Sequence, residues 1–295
     1  MGWLRRGLPI AVINILSGCL KMPKENLIFD MGLHKGEDTD FYLRKGFNVV
    51  AFEASRPLVE DCKKRFADHI AAGRLQIIEG AIAPRSIGPR VKFYRNSNSL
   101  WGTVDPNWAT RNDNLGSPSE LVSVTRVDIA EVFQNIGIPF YLKIDLEGVD
   151  RLVLQGLSEF EDRPQYLSIE SEKVDLNALS EGMNFLVRLG YKKFKIVQQA
   201  TLPGSSGSFR SLDGTVFSHI FEHHSSGAFG EEIPQPWMSF SEAIDKYEAI
   251  FRWYRRFGDN SVFQRLPPRI HRLVSRFITG HPCALPGWHD THASL

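Results

Sequence analysis

Acidic side chains stand at the ends of several apolar segments of this chain. A carboxylate can accept hydrogen bonds from ligand hydroxyls, pair with a cation, or take the proton of a reacting hydroxyl group. The acids are Asp30, Glu53, Asp145, Glu147 and Glu170. Because the carboxyl ends of parallel strands lie along one edge of an open sheet, we expect these acids to converge on a single ligand-binding crevice.

The first of these acids begins a turn that contains two glycines. The apolar run 27–29 precedes Asp30, then Gly32 and Gly36 follow, and a second apolar run ends on Glu53. A strand, a glycine turn, a helix and a strand that ends in an acid form a nucleotide-binding βαβ unit. Asp30 occupies the first glycine position of a dinucleotide fingerprint, so the spacing favours another nucleotide. Asp-x-Gly-x-x-x-Gly is typical of proteins that bind S-adenosylmethionine (SAM).

Five segments of the chain together resemble the FkbM family of SAM-dependent methyltransferases, over residues 27–200. The most specific segment is Lys143-Ile144-Asp145-Leu146-Glu147-Gly148, an apolar strand followed by two acids. One position departs from the family pattern, because His34 stands where members often carry asparagine. The other segments are Phe29-Asp30-x-Gly32-x3-Gly36, Ala51-Phe52-Glu53-Ala54, Thr125-Arg126-Val127-Asp128 and Gln155-Gly156.

The resemblance implies an α/β fold of the class I methyltransferase (Rossmann-like) type. Its sheet is mostly parallel and seven-stranded, with helices on both faces. The apolar runs predict strands at 27–30, 48–53, 75–79, 140–145, 166–170 and 193–198, and a last strand at 214–220. We expect an N-terminal helical extension at 1–25, a SAM-binding methyltransferase domain at 26–225 and a C-terminal helical extension at 226–295.

The resemblance also implies an activity. The predicted reaction is the SAM-dependent O-methylation of a hydroxyl on a small molecule or glycan. An NAD(P)-dependent oxidoreductase stays as an alternative, although an acid in place of the first glycine weighs against it. A non-catalytic SAM-binding module is the other alternative; it predicts decayed motifs, whereas each cofactor segment here is intact.

Three sets of residues are predicted to form the site. The SAM-binding set is Asp30, Gly32, His34, Gly36, Glu53, Ala54, Gly80, Ala81 and Asp145. The candidates for general base are Asp145, Glu147 and His34, because each can accept a proton. The acceptor-binding set comes from a long polar insertion at 96–119, the predicted strand at 166–170 and the C-terminal tail. Its members are Ser99, Trp101, Glu170, Trp288 and His289.

The acids also raise the question of a metal. Asp145, Glu147 and Glu170 could bind Mg²⁺ through their oxygens. The family resemblance does not require a divalent metal, and we expect none. The histidines near 219–224 and 289–292 lack the spacing of a zinc site.

Composition limits the partners and the compartment. The net charge is +1, which gives no global attraction to nucleic acid, so no nucleic-acid partner is expected. The 3 cysteines, Cys19, Cys62 and Cys283, are scattered and lack CxxC spacing. This usage favours a reducing compartment, and we expect the protein to be cytoplasmic.

Both termini carry apolar segments that need an interpretation. The N-terminus has a basic start, an apolar run and Leu16-Ser17-Gly18-Cys19, which is similar to a lipoprotein cleavage site. Pro9 and Asn14 interrupt this run, so an amphipathic helix is the preferred interpretation. No stretch reaches the roughly 20 apolar residues of a membrane span.

In the tail, residues 239–257 combine apolar residues at helical spacing with arginines. The predicted helix docks against the core or a second subunit of a homo-oligomer, with peripheral membrane contact as the alternative. We expect the terminal segment 288–292 to fold back toward the strand ends as part of the acceptor pocket.

Overall fold

The computed structural model describes residues 24–172, 175–258, 261–281 and 287–295. Of the predicted N-terminal helical extension at 1–25, residues 1–23 lie outside the described residues. The strands are β1 (Leu27–Met31), β2 (Asn48–Glu53), β3 (Leu75–Glu79), β4 (Ala81–Ile82), β5 (Arg90–Asn96), β6 (Ser119–Val127), β7 (Tyr141–Ile144), β8 (Tyr166–Glu170), β9 (Lys193–Gln198), β10 (Ser206–Arg210), β11 (Val216–Ile220) and β12 (His289–Ser294).

The helices lie between these strands and in the last third of the chain. They are α1 (Glu37–Arg44), α2 (Arg56–Arg65), α3 (Ala67–Ala71), α4 (Pro106–Asn114), α5 (Ile129–Ile136), α6 (Asp150–Leu157), α7 (Leu176–Arg188), α8 (Phe240–Phe257) and α9 (Pro268–Thr279). Short 3₁₀ turns occupy Lys24–Asn26, Gln199–Thr201, Gly230–Glu232 and Val262–Arg265.

A seven-stranded sheet forms the centre of the molecule, in the order β3-β2-β1-β7-β8-β12-β9. Its pairs are parallel except those of β12, which runs antiparallel to both β8 and β9. β4, β5 and β6 form a separate three-stranded sheet, and β10 and β11 form a two-stranded one. The predicted α/β fold class, with a mostly parallel seven-stranded sheet, is confirmed.

The apolar runs in the sequence are buried because helices cover both faces of the sheet. All five residues of β1 are buried; Leu27, Phe29 and Met31 belong to one hydrophobic cluster and Ile28 to the other. Phe29 packs on the face covered by α5, α6, α7 and α8, where Tyr247 is fully buried. Ile28 packs on the other face with Phe41 of α1 and Cys62 of α2.

The predicted last strand at 214–220 is wrong as a strand of the central sheet. β11 pairs only with β10 among the described strands, and both belong to a small outer hairpin. The seventh strand is β12, which lies between β8 and β9. Its sequence, HDTHAS, lacks apolar alternation. It forms a strand because β8 and β9 pair with its two edges. Its buried hydroxyl groups are also hydrogen-bonded; Thr291 Oγ1, for example, lies 2.6 Å from Tyr247 Oη.

The C-terminal part of the chain is therefore not only a helical addition. The end of the predicted extension at 226–295 belongs to the central sheet. The expected docking of the tail helix on the core is confirmed for α8, which buries Ala243, Tyr247 and Phe251 at a spacing of four residues. A capping box is present, with Ser239 and Glu242 at the start of this helix. Across the described residues, no helix is long and apolar enough to cross a membrane.

Candidate active site

The carboxyl ends of the central strands open onto a cavity of about 440 Å³, which is within the range of about 300–1,000 Å³ that small-molecule sites occupy. The insertion between β5 and β6 contributes residues 99–104 to its wall. The structure brings most of the predicted site residues together there: Gly32, His34, Glu53, Ala54, Gly80, Ala81, Ser99, Trp101, Asp145, Glu147, Glu170 and Trp288. Asp30, Gly36 and His289 do not line this cavity.

Glu53, at the end of β2, is held in place by two backbone amides. Its Oε2 accepts a hydrogen bond from the His34 amide at 3.0 Å, and its Oε1 accepts one from the Ser55 amide at 2.7 Å. Burial raises the pKa of this carboxyl group to about 7, although both amides favour the charged form. Because each carboxylate oxygen has two acceptor positions, Glu53 keeps the capacity to accept further hydrogen bonds from a ligand in the cavity.

The two glycines of the turn serve different purposes. Gly32 has φ +99°, and a Cβ atom there would lie 2.2 Å from the carbonyl oxygen of Asp145. Only glycine therefore lets the turn pass this close to the end of β7. Gly36 has φ +85° and precedes α1; a Cβ atom there would lie 2.4 Å from the Phe66 ring. Gly36 thus supports the packing of the turn rather than the wall of the cavity.

Asp30, the first acid of the motif, is fully buried beneath the cavity wall. Its carboxylate accepts hydrogen bonds from Thr39 Oγ1 at 2.6 Å and from Lys143 Nζ at 3.1 Å. Burial raises the pKa of Asp30, although Lys143 opposes this effect. The sequence analysis assigned this acid to the SAM-binding set, whereas in the structure it pairs with a buried lysine.

That lysine lies among three aspartates. Lys143 Nζ is 3.1 Å from Asp30, 3.3 Å from Asp38 and 3.7 Å from Asp145. Burial opposes the charge on Lys143, but the aspartates outweigh it and raise the pKa of Lys143 well above its usual value. Because an unpaired buried charge is costly, the lysine and aspartates must be kept together in the fold.

The same cluster positions a loop that the sequence analysis did not assign to the site. Asp38 accepts hydrogen bonds from Ser225 Oγ at 2.6 Å and from the Ser226 amide at 2.9 Å. Both serines and His224 line the cavity. The contact joins residues nearly two hundred positions apart, and the only sequence signal was the run His223-His224-Ser225-Ser226-Gly227. The cavity is also lined by Ser55, Arg95 and Gln199, which belong to no motif that would have indicated them from the sequence.

His34 links the glycine turn to the insertion. Its Nδ1 lies 3.0 Å from Glu37 Oε1, and its Nε2 lies 2.8 Å from Ser99 Oγ. Burial acts to raise the pKa of Glu37, but the hydrogen bond and charge of His34 outweigh it and lower that pKa. Because both ring nitrogens are engaged, His34 is placed to fix the insertion against the turn.

A cluster of acids lies at the ends of β7 and β8. Asp145 and Glu147 follow β7, and Glu170 ends β8. Burial, followed by the negative charges of Asp145 and Glu147, raises the pKa of Glu170 well above its usual value. Burial also raises the pKa of Asp290 well above its usual value and that of Asp150 to about 6. Glu170 and Asp290 are therefore more readily protonated than ordinary carboxyl groups.

Glu147 has an uncommon backbone conformation, with φ 39°. Its carbonyl oxygen accepts a hydrogen bond from Thr103 Oγ1 at 2.7 Å, which ties the end of β7 to the insertion. Gly148 follows with φ +96°, and a Cβ atom there would lie 2.9 Å from the Trp108 ring. Within the described part of the chain, no group of three or more His, Cys, Asp or Glu side chains is placed to hold a metal ion.

A second cavity of about 550 Å³ adjoins the first. The two cavities share Arg111, Glu170 and Trp288 in their walls. The second cavity lies between α6 and α7, with Leu154 and Met183 among its apolar lining. Glu170 thus lies in the wall that the cavity at the glycine turn shares with the cavity beside it.

Comparison with known proteins gives one family. A family model described as "Methyltransferase FkbM domain" matches residues 30–193. A search of curated proteins finds no match to this chain.

Several solved structures are similar at low sequence identity. A precorrin-6y C5,15-methyltransferase from Geobacter metallireducens GS-15 has a TM-score of 0.34 and 10% identity, over 71% of this chain and 81% of that one. A precorrin 8W decarboxylase from Methanobacterium thermoautotrophicum has a TM-score of 0.34 and 11% identity, over 73% and 88%. An rRNA methylase from Streptococcus thermophilus has a TM-score of 0.32 and 14% identity, over 73% and 96%. At these scores the likeness carries no conclusion about activity.

Proposed function

Because the chain belongs to the FkbM methyltransferase family, we propose that it transfers the methyl group of SAM to a hydroxyl oxygen of a small molecule or glycan. The observation that carries this proposal is the placement of Glu53. It faces the cavity beside the glycine turn, and two backbone amides hold its carboxylate. An acid at this position is suited to accept hydrogen bonds from both ribose hydroxyls of a nucleoside.

The residues around the cavity fit this cofactor. Glu53 would hold the ribose, Gly80 and Ala81 would border the adenine, and the turn at 32–34 with Asp145 would hold the amino acid end. Asp30 and Gly36 support the turn from behind and make no contact with the cavity. When bound, SAM supplies an electrophilic methyl group.

The proton of the acceptor hydroxyl needs a base in the same cavity. Asp145 and Glu147 line it and are the side chains that we assign to this role. Glu170 has a raised pKa, so it suits a hydrogen bond donated to the acceptor better than proton abstraction. His34 is a positioning residue, because Glu37 and Ser99 occupy its ring nitrogens.

Titration calorimetry tests the cofactor. We expect the protein to bind S-adenosylhomocysteine and SAM but not NAD. Glu53→Ala should weaken S-adenosylhomocysteine binding at least about tenfold, because each lost charged hydrogen bond costs about 1.5–3 kcal/mol. Glu60→Ala, an exposed acid on α2, is the matched control and should bind normally. Binding of NAD in place of S-adenosylhomocysteine would favour the oxidoreductase.

Methyl transfer itself is tested with labelled SAM and cell extracts, followed by mass spectrometry of the labelled products. We expect label on oxygen in small-molecule or glycan fractions, and none in RNA. Label found only in RNA would replace the proposed acceptor class. A folded protein that binds S-adenosylhomocysteine yet labels no fraction would support the non-catalytic alternative.

A further inference from the structure

The end of the molecule formed by the last 3₁₀ turn and α9 exposes large apolar side chains. Val262 is 76% exposed, Leu273 is 69% exposed and Phe277 is 91% exposed. Among the described residues, no member of α9 belongs to either hydrophobic cluster that covers the central sheet. Contiguous exposed apolar surface of this kind, bordered by polar residues, marks an interaction site.

The outward side of α9 is organised in two adjoining stripes. The apolar stripe consists of Ile270, Leu273 and Phe277. The arginine stripe consists of the residues that directly precede them, Arg269, Arg272 and Arg276. At 3.6 residues per turn, the arginine stripe is rotated by about 100° from the apolar stripe around the helix axis, so it flanks the apolar stripe on one side. We call these six residues the α9 outer face.

Packing on the inward side fixes the orientation of the α9 outer face. Ser275 is fully buried, and the His271 ring lies 4.3 Å from the Phe263 ring of the preceding 3₁₀ turn. Phe263 in turn lies 5.2 Å from the ring of Phe257 at the end of α8. Because α8 is docked on the core, this row of rings attaches α9 to the body of the protein with its apolar and arginine stripes outward.

Charge is concentrated in the same part of the chain. Residues 249–281 contain seven arginines and one aspartate, a formal charge of +6, so the rest of the chain carries −5 to give the total of +1. One of these arginines, Arg252, lies 3.7 Å from Glu248, whereas α9 itself contains no acidic residue. The exposed apolar side chains thus sit in a locally cationic surface on a nearly neutral protein.

We propose that the α9 outer face binds the surface of an anionic lipid bilayer, with the helix lying in the plane of the interface. Leu273 and Phe277 would enter the boundary between headgroups and acyl chains, and the arginines beside them would contact lipid phosphates. The proposal is independent of the methyl-transfer reaction. It concerns where the protein works, and it involves α9 rather than the helix at 239–257, which docks on the core.

The other occupants fit this face less well. Nucleic acid would use the arginines, which bind phosphate, but would leave the aliphatic and aromatic side chains in water. A second copy packed in a symmetric contact would bury the apolar stripe, but it would bring two arginine stripes against each other. A lipid surface satisfies both stripes at once.

Co-sedimentation of the full chain with vesicles tests the proposal. We expect binding to phosphatidylcholine vesicles that contain phosphatidylglycerol, weaker binding at high salt, and little binding to phosphatidylcholine alone. Leu273→Ser combined with Phe277→Ser should lower binding to the anionic vesicles at least about tenfold, since each removes an apolar side chain from the interface. Arg269→Gln, Arg272→Gln and Arg276→Gln together should lower it similarly and remove most of the salt dependence.

Matched variants control for general changes of surface. Val216→Ser with Ile220→Ser removes two exposed apolar side chains from β11, and Lys64→Gln, Lys92→Gln and Lys192→Gln remove three exposed cations elsewhere. Both control proteins should bind vesicles like the unmodified chain. Circular dichroism and S-adenosylhomocysteine binding confirm that every variant is folded.

Several outcomes would overturn the proposal. The first is that the unmodified chain does not bind anionic vesicles. The second is that the Leu273/Phe277 variant binds them as well as the unmodified chain does, which would assign lipid binding to another segment. RNA binding that the arginine variant loses, without vesicle binding, would make the face a nucleic-acid site. A concentration-dependent dimer that the Leu273/Phe277 variant loses, again without vesicle binding, would make it a subunit contact.

Discussion

The carboxylates on the two sides of the candidate site have opposite surroundings. We call the glycine turn, with Glu53 in the cavity and Asp30 buried behind it, the first wall, and the acids after β7 and β8 the second wall. At the glycine turn, donors from the protein hold each acid: two amides hold Glu53, and Thr39 and Lys143 hold Asp30. At the ends of β7 and β8, burial and then the negative charges of Asp145 and Glu147 raise the pKa of Glu170. In the first wall, fixed hydrogen-bond donors orient the carboxylates before a ligand binds. In the second wall, acids lie close together at an electrostatic cost, an arrangement that is common at sites of proton transfer.

The largest effect should come from the second wall. Asp145→Asn and Glu147→Gln each keep the shape of the side chain but remove its ability to take a proton. We expect the variant that lacks the base to lose about 10²–10⁴ in kcat, while S-adenosylhomocysteine affinity changes little. Steady-state kinetics with the identified acceptor measure this, with the exposed Glu161→Gln as control. Full activity in both amide variants would remove these residues from the base role.

The next largest effect concerns stability at the first wall. Lys143→Met leaves Asp30 and Asp38 buried without their cation, so the free energy of unfolding should fall by about 3–5 kcal/mol. Urea unfolding measures the change. Lys63→Met, which breaks an exposed pair with Glu60, should cost less than about 1 kcal/mol. Equal losses in the two variants would contradict the structural role of the buried lysine.

A smaller change in the free energy of unfolding, with the opposite sign, is expected for a substitution of Glu170. Its raised pKa makes this carboxyl group harder to ionise in the folded protein than in the unfolded chain, so its contribution to stability is lost as pH rises above the ordinary glutamate pKa. Glu170→Gln should therefore raise the free energy of unfolding at pH 8 by at least about 1 kcal/mol, since one pKa unit corresponds to about 1.4 kcal/mol. The variant and the unmodified protein should unfold alike at pH 4. A loss of stability at pH 8 would show that Glu170 is stabilised as a carboxylate.

The smallest predicted effect is the pH dependence of cofactor binding. With a pKa of about 7, Glu53 is mostly neutral at pH 6 and mostly ionised at pH 8, and the ionised form is the stronger acceptor. S-adenosylhomocysteine affinity should rise by at most about ninefold over this interval, because the ionised fraction rises from about one tenth to about nine tenths. Glu53→Ala should show a flat profile. A profile in Glu53→Ala that still rises with pH would assign the titration to another group.

The predictability of the two walls from sequence also differs. Glu53, Gly32, Asp145 and Glu147 could be assigned to the cavity because each stands at a strand end within a contiguous motif. The partners that set their behaviour could not be assigned in this way. The bond from Ser225 to Asp38, for example, joins residues 187 positions apart. A sequence pattern that spans a few residues does not indicate contacts between residues so far apart in the chain.

The sequence by itself determined the positions of the buried strands, the close turn at Gly32 and the acids at the strand ends, since these depend on apolar runs and on single residues. Only the tertiary structure decided that Asp30 faces Lys143 rather than the cavity, and that Gly36 packs against Phe66. It also decided that the polar segment His289–Ser294 is a strand of the central sheet. The physical reason is that backbone pairing on both edges and buried hydroxyl partners, rather than apolar alternation, stabilise that strand.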